Sequence, residues 1–156
     1  MKINLKYPKD PVWEIDGESE ELEDFVNSLF IFADKDTILC IEHANISADI
    51  LNHISRYKVE TEFHPHKNTT WPKSKLYFFN FSSKFYSEFK SIINQYNSCE
   101  FIDHFTLFDS TGNVLIDYAD FGSNQFHINQ LPKKTSEKFI SNYTGNAKLV
   151  NHVYGT

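Results

Sequence analysis

The residues best able to do chemistry fall within one short span. His104 lies with Asp103, Asp109 and Asp117 in a stretch that reads strand, turn, strand. An imidazole with carboxylates on facing strands is the residue set that acid–base or metal-assisted hydrolysis uses. Such a site needs its groups to converge, however, and residues of these types on strand faces are ordinarily solvated. His64-Pro65-His66 has the spacing of a metal-binding pair, but the proline kinks the segment and no further ligand follows in a recognised pattern. No metal and no cofactor are expected. A Gly-rich phosphate loop, a dinucleotide fingerprint, a Gly-x-Ser-x-Gly elbow and a His-Glu-x-x-His pair are all missing from the sequence, which has only 5 glycines. Cys40 sits in an apolar run and Cys99 at the start of a strand, so both read as small buried hydrophobes, neither disulfide partners nor nucleophiles.

A different group suits binding better than catalysis. Asp117-Tyr118-Ala119-Asp120-Phe121 sets two carboxylates and two rings within five residues at the end of a strand. Aromatic anchors with nearby charge are what a protein interface uses. A second candidate surface lies upstream, where Asp10, Glu14, Asp16, Glu18, Glu20, Glu21, Glu23 and Asp24 put eight acids into residues 10–24 with no base among them. Acids are favoured near a helix N-terminus, which accounts for part of this run, and the remainder is either a solvated face or a candidate docking patch. Trp71 is displayed on the longest loop, residues 63–74, beside His64 and His66. The expected partner-binding residues are therefore Asp117, Tyr118, Asp120, Phe121, Trp71, Glu20, Glu21 and Asp24.

Composition narrows the classes of partner. The net charge is −6, from 15 basic and 21 acidic groups, and Arg56 is the only arginine. Phosphate backbones are gripped by clustered Lys and Arg, so nucleic acid is not the expected partner. An acidic surface suits a basic protein, because long-range attraction speeds the encounter. No apolar run near the N-terminus reads as a signal peptide and none is long enough to span a membrane, so a cytoplasmic protein is expected. Aromatic residues make up 16% of the chain, with 15 Phe. Most should fill one core, and a few should reach the surface.

These residues are positioned by alternating strands and helices. Val12 to Ile15 alternates as a short strand that Gly17 should break, and a helix should start at Glu18 with the stripe Leu22, Phe25, Val26, Leu29, Phe30 and Ala33. Thr37 to His43 reads as a central strand, and Asn45 or Ser47 caps a helix with Ile46, Ile50, Leu51, Ile54 and Tyr57 inward. Lys58 to Phe63 reads as an edge strand and Lys75 to Phe81 as an aromatic one. Ser82 or Ser83 caps a third helix with the stripe Phe85, Phe89, Ile92, Ile93 and Tyr96. Two strands, Cys99–Asp109 and Val114–Phe121, then form a hairpin around Gly112, with Val114, Ile116 and Tyr118 on one face of the second arm and Leu115, Asp117 and Ala119 on the other. Gln125–Asn129, a helix over Thr135–Tyr143 and a strand from Ala147 complete the chain. The expected architecture is a single α+β domain over residues 1–156, a two-layer sandwich of a mixed, mostly antiparallel sheet with about four helices. A three-layer α/β sandwich is the alternative, because Val12 to Phe63 reads strand, helix, strand, helix, strand.

In size, charge and lack of catalytic motifs the whole chain resembles bacterial immunity proteins, which neutralise toxins that are often nucleases with cationic clefts. No residue is carried over from that likeness. It implies a small acidic binding protein, not an enzyme, that inhibits a basic toxin by direct contact. The alternatives are a hydrolase or nuclease-like enzyme using His104 and its neighbouring acids, and an adaptor that forms a homodimer or larger oligomer through exposed rings.

Overall fold

In the computed structural model the described residues are 12–18, 26–61, 75–97, 100–118, 125–128, 137–139, 141 and 147–150. They form seven strands in two antiparallel sheets, with helices between them, in an α+β arrangement. The strands are β1 (Val12–Glu18), β2 (Thr37–His43), β3 (Lys75–Asn80), β4 (His104–Asp109), β5 (Val114–Tyr118), β6 (Gln125–Ile128) and β7 (Ala147–Val150). The longer sheet runs β3-β2-β4-β5, and the other runs β6-β1-β7. Since β1 and β2 belong to different sheets and every described pair is antiparallel, the strand–helix–strand reading of the first 63 residues does not produce a parallel α/β sheet.

The central place of β2 follows from its composition. Thr37 to Glu42 are all buried, as a run paired on both edges requires. Leu39 and Ile41 face one cluster with Phe79, Phe105, Leu107 and Ile116, while Ile38 and Cys40 join Phe78 and Phe108 in a smaller cluster on the opposite face. The larger cluster takes both main helices. In α1 (Ala48–Ile54) the Ser47 hydroxyl accepts from the Ile50 amide at 3.4 Å, and Ile50 and Ile54 are buried. In α2 (Ser83–Gln95) the Ser82 hydroxyl accepts from the Phe85 amide at 3.2 Å, and Phe85, Phe89 and Ile92 lie inward. Each hydroxyl satisfies an amide that the first turn leaves without an intrahelical partner.

Rings hold this core together. Phe85 stacks on Phe79 at 5.4 Å and on Phe89 at 5.8 Å, and meets the Tyr57 ring edge-on at 5.5 Å. Phe79, Phe81, Phe85, Phe89, Phe101, Phe105, Phe108 and Phe139 are among the largest fully buried side chains of the described residues, so these rings are core material. The Tyr86 hydroxyl donates toward the Val26 and Asn27 carbonyls, 3.1 Å from each, and burial pushes its pKa up. That contact ties α2 to the helical turn at Val26.

Several sequence expectations change. Gly17 does not end β1, which continues to Glu18 and therefore removes Glu18 from the start of a helix. A glycine weakens a strand without forbidding it, and Gly17 is paired opposite Phe126. Beyond Ser28 the first helix tightens into a 3-10 turn, Leu29–Phe32. Three residues per turn bring Leu29 and Phe32 to one side, both buried, and leave Phe30 half exposed instead of in the stripe. Lys58 makes only an isolated bridge to Phe79, so no edge strand forms over residues 58–61. The register shifts between Leu107 and Phe108, which sets Ile116 opposite Leu107 but Val114 opposite Phe108, and Leu115 packs against the main core. Val114 and Ile116 thus do not share a face as simple alternation would have it. Residues 62–74, with the remainder of the expected edge strand and the long loop, lie outside the described residues.

Candidate functional site

Strand β1 carries three acids in its seven residues. Its acids Glu14, Asp16 and Glu18 occupy every second position, so they share one face of the strand. The registers place Lys148 opposite Glu14, His127 opposite Asp16 and Gln125 opposite Glu18. Trp13, Ile15 and Gly17 alternate with them, opposite Leu149, Ala147 with Ile128, and Phe126. From Glu14 to Glu18 the charged and polar positions of the β6-β1-β7 sheet thus fall on one side of β1, and Val12, opposite Val150, continues that side with apolar positions. Residues 10–24 supply Glu14, Asp16 and Glu18 to a strand, whereas the sequence pattern had placed Glu18 at a helix N-terminus.

The expected interface at the end of β5 is only partly described. Asp117 is paired opposite Thr106 and Tyr118 opposite Phe105, on the outermost strand of the four-stranded order. Asp120, Phe121, Trp71, Glu20, Glu21 and Asp24 lie outside the described residues. Among the described large hydrophobic residues Phe30 is the exposed ring, a position the sequence had assigned to the core.

Of the acid–base set around His104, the hairpin separates Asp109, while Asp117 is paired opposite Thr106, two residues along β4 from His104. His104 and Asp109 begin and end β4, which holds them about 17 Å apart at the rise of a strand. Asp109 has a local task. Its Oδ1 accepts from the Thr111 amide at 2.9 Å, the Thr111 hydroxyl at 2.7 Å and the Asn113 amide at 3.0 Å, while Oδ2 accepts from Asn113 Nδ2 at 2.9 Å. Gly112 completes this turn at a φ of 93°. Partial burial pulls the Asp109 carboxyl upward, but the hydrogen bonds from Thr111 and Asn113 outweigh it and hold its pKa below the usual aspartate value. Asp103, just before β4, is exposed. Among the described residues no group of three or more His, Cys, Asp or Glu side chains is placed to hold a metal ion.

No protein-family model matches this chain, and no curated protein or solved structure matches it.

One residue that the sequence did not single out stands apart. Glu42 is only 2% exposed, and neither of its carboxylate oxygens has a hydrogen-bond partner among the described residues. It is paired across to Leu76 on one side and His104 on the other. By alternation it shares a face with Cys40 and Ile38, and the buried Thr106 lies diagonally across β4. A charged residue at the end of an apolar run reads in sequence as the point where a strand meets water. The signal that could have flagged it was its even spacing from Ile38 and Cys40 inside a run already read as buried.

Proposed function

We propose that this protein is a small acidic binding protein of the immunity or antitoxin type, which neutralises a basic toxin, such as a nuclease, by direct contact in the cytoplasm. The observation that carries this reading is the placement of Glu14, Asp16 and Glu18 on one face of the central strand of the β6-β1-β7 sheet, in a chain of net charge −6. Carboxylates at alternate strand positions lie roughly 7 Å apart, a spacing that rows of Lys and Arg on a cationic cleft can meet. Asp117, Tyr118, Asp120 and Phe121 are a second proposed contact, at and beyond the end of β5. No helix among the described residues is long and apolar enough to cross a membrane.

The test is a binding titration against the protein encoded directly upstream, together with inhibition of that protein's toxicity. A basic toxin domain bound tightly, with binding weakened by Asp117→Lys and Asp120→Lys at an unchanged melting temperature, is the expected result. Equal loss of fold stability in these variants, or no binding by the wild type, counts against the reading. An enzyme reading keeps one specific observation, the pairing of His104 with the buried Glu42. It requires turnover on a substrate panel that disappears in His104→Ala.

A further inference from the structure

We draw no further inference here: the strongest candidate, the buried side-chain cluster of Glu42, Cys40 and Thr106 on the face of the four-stranded sheet opposite the larger core, carries nothing because nothing among the described residues shows what covers that face.

Discussion

Strands β1 and β2 hold the same place in their sheets, each paired on both edges, yet they handle charge in opposite ways. In β1 the acids recur at Glu14, Asp16 and Glu18, and cross-strand positions opposite them hold Lys148, His127 and Gln125. In β2 a single acid, Glu42, ends a buried run, with Leu76 and His104 across from it. A period of two keeps charge on one side of a strand and leaves the other side free for apolar positions. A lone acid in a continuously buried run has no such outlet. The first pattern gathers acids at alternate positions of β1, and the second leaves one buried acid near the end of β2.

The largest expected effect lies on the helix side of β2. Phe85→Ala removes the ring that touches Phe79, Phe89 and Tyr57, and should cost about 3–5 kcal/mol in a urea melt. A cost under about 1 kcal/mol would mean that this face is loosely built. Next is Glu42→Met on the opposite face, expected to gain about 1–3 kcal/mol, the usual penalty of a buried unpaired polar group. Ser82→Ala should cost about 1 kcal/mol through the lost cap of α2. A smaller effect should appear at the Asp109 turn, and it depends on pH. Because the folded-state pKa lies below the unfolded value, Asp109 adds stability above the ordinary aspartate range and loses it as pH falls through its folded pKa. Asp109→Asn should therefore flatten the acid limb of stability against pH, while leaving the response of Glu42 variants unaltered.

Much of the four-stranded sheet and its helices was legible in the sequence, because the signals were local. The apolar run of β2, the Phe85, Phe89 and Ile92 stripe, and the Ser47 and Ser82 caps each sit within a few residues of what they specify. The β6-β1-β7 sheet was not legible, because β1 finds its partners at the far end of the chain and a strand's pattern does not name its neighbour. Gly17 added to this by reading as a stop. Of the candidate site, the acid run was visible as composition and Glu14 fell on an alternating strand, but the continuation through Gly17 to Glu18 depended on that distant pairing. Glu42 was passed over for a related reason: its burial is decided by what covers the sheet and not by its own segment.

The central claim is that the acids of β1 form a face that a basic protein binds. It is tested most directly by the affinity of the combined Glu14→Gln, Asp16→Asn and Glu18→Gln variant for the upstream-encoded basic protein, measured beside the wild type at low and high salt. The account predicts weaker binding by at least tenfold at low salt, a smaller salt dependence and an unchanged melting temperature. Equal affinity and equal salt dependence in the two proteins would contradict it.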